Sequence, residues 1–397
     1  MKDLHISDTS RVRSGDVTDV YFLRTEEVLR AKGLSKHVCM EIFLKSYPEP
    51  AYRWGILAGI EEVCVILENR QVTVQAMPEG SVFFTDEPVM IIEGDYLEFG
   101  ALETAILGCL CQASGIATKA SRCKTACGDK GLISFGARRM HPSIAPMVER
   151  AAFVGGCDGV ATIASARLIN ETPVGTMPHA LILQVGDTLN AALAFDEIVE
   201  KDVSRIVLID TFQDEKFEAV RVAESMRERL QGIRFDTPSS RRGNFRALME
   251  EVRWELDLRG FGHVKIYASG GLDLEDILDL RDVVDAFGVG THISSSATLD
   301  FSMDIVEIQG RPFAKRGKKS GKKDVLRCRK CMKDYVVPHG MKRRCECSGA
   351  AQPLFTKIID EGKIVVDLPP ARMIRQRAME ELALLRKGTP ERAFLNL

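Results

Sequence analysis

Two glycine-rich turns close together in the sequence have the composition of a phosphate-binding site. The first, 269–271 (Ser-Gly-Gly), follows the apolar run 264–268, and the second, 288–291 (Gly-Val-Gly-Thr), follows the apolar run 284–287. A phosphate needs bare backbone N–H groups, and glycine lets the backbone approach it closely. Each apolar run is typical of a buried strand that leads into a helix, which is the arrangement at the phosphate site of (β/α) barrels. We therefore predict that phosphate binds at Ser269, Gly270, Gly271, Gly290 and Thr291.

Two adjacent arginines, Arg138 and Arg139, follow the apolar run 132–135. Barrel enzymes place their reactive groups at the carboxyl ends of strands. A guanidinium group is suited to bidentate capture of a carboxylate or a phosphate. The pair is predicted to bind anionic substrate groups. The alternative is that both are surface arginines that cap a helix.

A histidine and two aspartates follow other predicted strands. His179 comes after a Gly-Thr turn that contains Thr176, and it is either a structural or a reactive histidine. Asp210 and Asp236 each end an apolar run and precede a threonine. Carboxylates at such positions can hold Mg²⁺ or the hydroxyls of a ribose, and capping of the next helix competes with this interpretation.

Four cysteines near the end of the chain form two close pairs, with the spacing Cys328-x2-Cys331-x13-Cys345-x-Cys347. Two such pairs can surround one tetrahedral Zn²⁺, and four thiolates leave no open position, so the site is predicted to be structural. The other seven cysteines lie in apolar or helical context and are interpreted as core residues in a reducing compartment.

The elements that must position these groups fall into three predicted parts. Residues 1–112 are predicted as an α+β domain with an antiparallel sheet, residues 113–300 as an irregular or incomplete (β/α) barrel, and residues 301–397 as a segment that returns to the first domain and carries the zinc module at 328–347. Seven barrel strands are predicted, at 132–135, 159–163, 172–174, 205–210, 233–236, 264–268 and 284–287. In the first part we predict a helix at 54–68, and before the barrel two helices, at 100–108 and 112–127.

Composition places the chain among globular proteins, with 45% hydrophobic and 28% charged residues. No apolar run appears long enough to span a bilayer, and the first residues lack the apolar region of a signal peptide, so we predict a cytoplasmic protein without membrane contact. The net charge is −2, yet 315–347 holds 13 Lys and Arg against 3 Asp and Glu. A basic module is therefore attached to an acidic body.

Taken in order, these motifs resemble the type II phosphoribosyltransferases of NAD biosynthesis, most closely the nicotinate phosphoribosyltransferases. The resemblance adds 18–22 (Thr-Asp-Val-Tyr-Phe), Glu103-Thr104 and 114–118 (Ser-Gly-Ile-Ala-Thr) to the motifs above, and it spans residues 18–291. It implies transfer of a phosphoribosyl group from 5-phosphoribosyl-1-diphosphate to nicotinate, giving nicotinate mononucleotide and diphosphate. It also implies coupled ATP hydrolysis through a phosphohistidine, Mg²⁺ bound with the phosphorylated substrates, and a homodimer or higher homo-oligomer.

Carried over residue by residue, the resemblance implies that His179 accepts the phosphoryl group, Tyr21 stacks on the pyridine ring and Arg138 holds the nicotinate carboxylate. Gly270, Gly271, Gly290 and Thr291 would bind the 5′-phosphate. One position departs from the pattern: some relatives have an acidic residue after the motif histidine, where this chain has Ala180.

Two other functions stay open from the sequence. Quinolinate phosphoribosyltransferase shares the fold, although its reaction has no use for the Gly-Thr-x-x-His motif. A nucleic-acid-binding zinc protein is the alternative of another class, because the runs 315–323 and 342–344 could neutralise phosphates. Only Tyr335 offers an aromatic platform there, and such runs are usually solvated.

Overall fold

The computed structural model of the chain describes residues 4–395, which form two compact units: 4–118 together with 297–395, and 119–296. The amino-terminal elements are α1 (Thr9–Ser14), α2 (Val20–Lys32), β1 (His37–Leu44), β2 (Gly55–Ile56), α3 (Ile60–Leu67), β3 (Val72–Ala76), β4 (Val82–Phe83), β5 (Pro88–Asp95) and α4 (Tyr96–Phe99). Helix α5 (Glu103–Cys127) carries the chain into the second unit.

The second unit alternates strands and helices. Its elements are β6 (Gly131–Ser134), α6 (Ala145–Val154), β7 (Gly159–Val160), α7 (Ile163–Ile169), α8 (His179–Val185), α9 (Thr188–Ile198), β8 (Ile206–Leu208), α10 (Glu215–Met226), β9 (Gly232–Phe235), α11 (Phe245–Leu258), β10 (Lys265–Ala268), α12 (Leu274–Leu280), β11 (Ala286–Val289) and α13 (Thr291–Ser294). All pairings in this sheet are parallel, in the order β7-β6-β11-β10-β9-β8. Since β7 and β8 are edge strands, the barrel is incomplete, and the predicted fold class is confirmed.

The chain then re-enters the first unit. The remaining elements are β12 (Phe301–Ile308), β13 (Arg311–Pro312), β14 (Lys323–Cys328), β15 (Asp334–Pro338), β16 (Ala351–Pro353), β17 (Thr356–Asp360), β18 (Lys363–Ile364), α14 (Ala371–Arg386) and α15 (Glu391–Leu395). An antiparallel sheet joins both ends of the chain in the order β13-β12-β1-β5-β3-β17-β18. A separate three-stranded sheet, β15-β14-β16, carries the cysteines. The core of this unit packs on the large sheet, whose strand β3 alternates between buried and half-buried positions.

Four predicted elements differ from the observed ones. The predicted helix at 54–68 is a short strand, β2, followed by the shorter helix α3, because a continuous apolar run does not distinguish a strand from a helix. The two helices predicted at 100–108 and 112–127 are one helix from Glu103 onward. The predicted barrel strand at 172–174 is extended chain outside the sheet, attached by one hydrogen bond from Val174 N to Val160 O (2.8 Å).

One helical stretch, Tyr96–Cys127, has the length and apolar composition of a membrane span, which the sequence prediction overlooked. Within its most apolar window, 56% of the residues are buried inside the protein. A mostly buried stretch of this kind is the ordinary core helix of a soluble fold, so it gives only weak evidence of membrane contact.

Candidate active site

The polar residues predicted to do chemistry lie at one edge of the parallel sheet. Asp210 comes two residues after β8, Asp236 follows β9 directly and Ser269 follows β10 directly. Because these strands are neighbours and parallel, their carboxyl ends meet at the same edge. The sheet therefore brings together groups that are 26 to 59 residues apart in sequence.

His179 is the first residue of α8 and reaches this edge of the sheet. Its Nδ1 lies 3.0 Å from Thr211 Oγ1, while its Nε2 lies 3.4 Å from Asp236 Oδ2 and 3.9 Å from Asp210 Oδ1. The imidazole is thus held between a hydroxyl on one side and two carboxylates on the other. These contacts orient the ring without an acidic residue at position 180, where this chain has Ala180.

Asp210 is the most enclosed of the acids, with 2% of its side chain exposed. Burial raises the pKa of Asp210 above its usual value, and the nearby His179 partly opposes this increase. Asp236 is bound from the other side by Ser269, whose Oγ donates a hydrogen bond of 2.6 Å to Oδ1. A continuous chain of polar contacts therefore runs from the 269–271 turn through Asp236 to His179 and Thr211.

Arg234 is a site residue that the sequence analysis missed. It lies inside β9, where its Nη1 donates to Thr176 Oγ1 (2.5 Å) and its guanidinium lies 5.6 Å from the Phe135 ring centroid. Burial lowers its pKa, while Asp236 and Asp210 act in the opposite direction. Its buried Nε–H has no acceptor among the described residues. The missed signal was a charged residue in an otherwise apolar strand of a parallel sheet.

The predicted phosphate turn has the required backbone. Gly270 and Gly271 both have positive φ, 94° and 73°. A Cβ on Gly270 would lie 3.1 Å from Asp236 O and 3.2 Å from its Oδ1, so a side chain would crowd the carboxylate. Gly290 and Thr291 follow β11, the neighbour of β10, and therefore lie at the same edge of the sheet.

The predicted arginine pair follows β6 in a short 3₁₀ turn, Ala137–Arg139, with both side chains exposed. The positive charge of Arg138 contributes to lowering the pKa of the Arg234 guanidinium at the site. Nothing in the structure places Arg139 there. Tyr21 belongs to the other unit, where it is 57% exposed on α2, 4.3 Å from the Phe22 ring centroid. Its contact with a pyridine ring stays a prediction.

The four cysteines Cys328, Cys331, Cys345 and Cys347 meet in the small sheet with all sulfur atoms within 4.8 Å of one another. Tetrahedral thiolates at about 2.3 Å from a zinc ion are about 3.8 Å apart. The observed separations of Cys328 from Cys347 and of Cys331 from Cys345, each 3.4 Å, are close to that value. A Cβ on Gly349 would lie 2.6 Å from Cys328 Sγ, so the backbone closes tightly around the cluster. The cluster fits a four-coordinate metal ion.

The basic segment before these cysteines is largely neutralised by acids of the seven-stranded sheet. Lys322 binds Glu93 at 2.6 Å and Lys323 binds Glu41 at 2.8 Å. Two more lysines of the segment, Lys315 and Lys318, both pair with Asp304. These four lysines pair with two buried carboxylates and one half-buried carboxylate of the sheet, which weakens the nucleic-acid interpretation of the charge run.

Comparison with known proteins agrees with this arrangement. The family models for the N-terminal and C-terminal domains of quinolinate phosphoribosyl transferase match residues 19–114 and 116–304. The Bacillus subtilis nicotinate phosphoribosyltransferase is 29% identical over 313 residues, which are 70% of this chain and 62% of that protein. The chain thus spans less than two thirds of that curated relative.

Solved structures extend the likeness over almost the whole chain. The nicotinate-nucleotide pyrophosphorylase from Pyrococcus furiosus is 52% identical with a TM-score of 0.95, covering 97% of this chain and 99% of that one. Human nicotinic acid phosphoribosyltransferase is 18% identical with a TM-score of 0.74 and 95% coverage of both chains, a likeness of fold. The chain therefore belongs to the type II phosphoribosyltransferase family, as the two quinolinate phosphoribosyl transferase domain models show over most of its length.

Proposed function

We propose that this chain transfers the phosphoribosyl group of 5-phosphoribosyl-1-diphosphate to nicotinate. The main support is the cluster at the sheet edge, where Arg234, His179, two aspartates and a glycine turn converge. The pyridine nitrogen forms a bond to C1 of the ribose as the C1–O bond breaks, and the electron pair leaves with diphosphate. Such a reaction depends mainly on positioning and charge neutralisation.

The acids have distinct tasks in this proposal. Asp236 and Asp210 are carboxylates at neighbouring strand ends and would hold Mg²⁺ that arrives with diphosphate groups, since oxygen ligands are what this ion prefers. Asp236 is also placed to accept hydrogen bonds from ribose hydroxyls, because it is partly exposed and adjoins the 269–271 turn. The turn itself would receive the 5′-phosphate.

His179 supports the coupling to ATP. A histidine whose Nε2 faces two carboxylates and whose Nδ1 contacts a hydroxyl has a fixed ring orientation. A fixed orientation favours phosphoryl transfer from ATP to a ring nitrogen, with ADP as the leaving group, and later hydrolysis of the resulting phosphoramidate.

Recognition of the nicotinate carboxylate is assigned to Arg138, with Arg234 as a second nearby guanidinium. Replacing Arg138 by alanine is expected to raise the KM for nicotinate about 10- to 100-fold, because a charge-assisted pair contributes roughly 1.5–3 kcal/mol. Nicotinamide carries no such charge, so its turnover should change less. Steady-state kinetics with both substrates measure the difference.

Arg139→Ala is the matched control, since the side chain is also exposed in the same turn. It should leave the KM for nicotinate within about twofold of wild type. Equal weakening of nicotinate and nicotinamide by Arg138→Ala would show instead that this arginine contacts the phosphoribosyl group or supports the fold.

Turnover of nicotinate, nicotinamide and quinolinate, each with and without ATP, tests the proposed function as a whole. Nicotinate should be the preferred substrate, and ATP should accelerate its conversion. A preference for quinolinate, with release of CO₂, would replace this proposal by the quinolinate reaction that the two family models name.

We propose that the metal of the cysteine cluster is Zn²⁺ and that its role is structural, because four thiolates close the coordination shell. Cys328→Ser is expected to unfold the 328–347 segment and leave the parallel sheet folded, since a closed thiolate site stabilises mainly its own surroundings. Limited proteolysis should then cut selectively within this segment. Metal analysis that finds no zinc in protein purified without chelators would contradict the assignment.

Two further features are proposed from the resemblance. Tyr21 is assigned to stacking on the pyridine ring, and the protein is proposed to be a cytoplasmic homodimer or higher homo-oligomer. Sedimentation of the purified protein tests the assembly. Tyr21→Ala tests the stacking, because loss of an aromatic platform should weaken nicotinate binding without affecting the binding of ribose 5-phosphate.

A further inference from the structure

The guanidinium of Arg242 binds the backbone of the predicted phosphate turn at 269–271. It lies in the loop between β9 and α11, and its Nη2 donates to the carbonyl oxygen of Gly270 and lies 3.5 Å from that of Ser269. Its Nε donates to Thr237 O at 2.7 Å, and its guanidinium lies 4.6 Å from the ring centroid of Phe245. The guanidinium is thus fixed between two loops at the carboxyl ends of β9 and β10.

These bonds determine which way the turn presents its donors. In a planar trans peptide the C=O and N–H groups point in opposite directions. Because the carbonyls of Ser269 and Gly270 face Arg242, the N–H groups of Gly270 and Gly271 face away from it. Neither N–H donates to an acceptor among the described residues. Two neighbouring free N–H groups on one side of a turn are an anion-binding arrangement.

Without Arg242 as a partner for the two carbonyls, the orientation of the Gly270 and Gly271 N–H groups would be poorly defined. Gly270 and Gly271 lack the Cβ that restricts other residues, so the peptide between them can rotate at little cost. A cationic donor on the carbonyl also polarises the peptide unit and strengthens its N–H as a donor. Arg242 therefore both orients and activates the N–H of Gly271.

We propose that Arg242 is a positioning residue for the 5′-phosphate, acting through the Gly270–Gly271 peptide without touching the phosphate. The inference rests on the proposed function, which assigns the phosphoribosyl group to this turn. Arg242 then affects the affinity for any ligand that carries a ribose 5-phosphate group. It does not affect the binding of the nicotinate carboxylate.

The test compares Arg242→Ala and Arg242→Lys with Arg241→Ala, a matched control at an exposed neighbouring arginine. Calorimetry with ribose 5-phosphate and steady-state kinetics give the affinities. In Arg242→Ala, the Kd for ribose 5-phosphate and the KM for 5-phosphoribosyl-1-diphosphate should each rise about tenfold. The KM for nicotinate and kcat should stay within about twofold, since the phosphate is bound equally before and during the reaction.

The lysine variant separates an indirect role from direct contact. Lysine lacks the planar, rigid fork with which arginine holds the Thr237 and Gly270 carbonyls in fixed positions, so Arg242→Lys should also bind ribose 5-phosphate several-fold more weakly than wild type. Rescue to within twofold by lysine would show direct contact with the phosphate and overturn the proposal. Equal affinities in Arg242→Ala and Arg241→Ala, or a parallel loss of nicotinate affinity, would overturn it as well. Wild-type protein that binds no ribose 5-phosphate would instead overturn the proposed function.

Discussion

His179→Asn is expected to abolish the ATP-dependent labelling of this protein and the acceleration of nicotinate turnover by ATP. Wild-type protein incubated with γ-labelled ATP should take up label that is labile in acid and stable in base, as expected of a phosphoramidate. Asparagine has a similar reach but no ring nitrogen to accept the phosphoryl group. The variant should keep a slow transfer reaction at one rate with and without ATP, because Arg138, Arg234 and the 269–271 turn still position the reactants.

The matched control is His263→Asn, at a partly exposed histidine 3.8 Å from Glu228 on the surface of the same unit. Its labelling and its response to ATP should equal those of wild type. Label that persists in His179→Asn would place the phosphoryl group elsewhere. A wild-type protein that takes up no label and ignores ATP would be an uncoupled transferase, in which the two carboxylates beside His179 serve only the ribose and the metal.

Much of this site follows from the sequence because parallel strands are short apolar runs whose next residues must lie at one edge of the sheet. Asp210, Asp236, Ser269 and the glycine turns were found by that rule, and the structure places them at that edge. The rule depends only on chain direction and on the pairing of neighbouring strands. It therefore predicts which strand ends meet, without predicting individual contacts.

The contacts themselves required coordinates. Thr211, Arg234 and Arg242 are bound to groups 32, 58 and 28 residues away in sequence, and no local pattern marks such partners. Arg234 in particular lies within a strand. A search for alternating or continuous apolar residues ignores a single charged residue inside the run. Its partner Thr176 lies in a loop whose path was itself predicted wrongly as a strand at 172–174.

The contacts that hold the zinc module at 328–347 to the rest of its unit were likewise not predictable from the sequence. These contacts centre on one buried arginine. Arg327 precedes Cys328, a proposed zinc ligand, in β14 and is fully buried. It binds three groups distant in sequence or in the sheet: Asp334 with two bonds (2.5 and 2.8 Å), Glu381 on α14 (2.6 Å) and the carbonyl of Val82 (2.6 Å). Arg329 binds the other oxygen of Glu381 at 2.9 Å.

The charged groups of this network pair with one another inside the protein. Burial, and then the adjacent Asp334 carboxylate, raise the pKa of Glu87 well above its usual value. Arg327 pairs with both Asp334 and Glu381, and Arg329 pairs with Glu381. Removing Arg327 would leave two buried carboxylates with one partly exposed counter-charge, which is the costly way to break a buried ion pair.

Arg327→Met is therefore expected to lower the free energy of unfolding by about 3–5 kcal/mol, the range for loss of one partner from a buried pair. Methionine keeps much of the buried apolar stem, so the loss reports the charge and its hydrogen bonds. Denaturant unfolding of the zinc-loaded protein measures it. Arg329→Met removes a bond to the same Glu381 from a side chain that is 53% exposed, and it should cost less than about 1 kcal/mol. Equal losses in the two variants would show that Arg327 contributes no more than a surface ion pair, and that the module is attached by its apolar contacts and its metal alone.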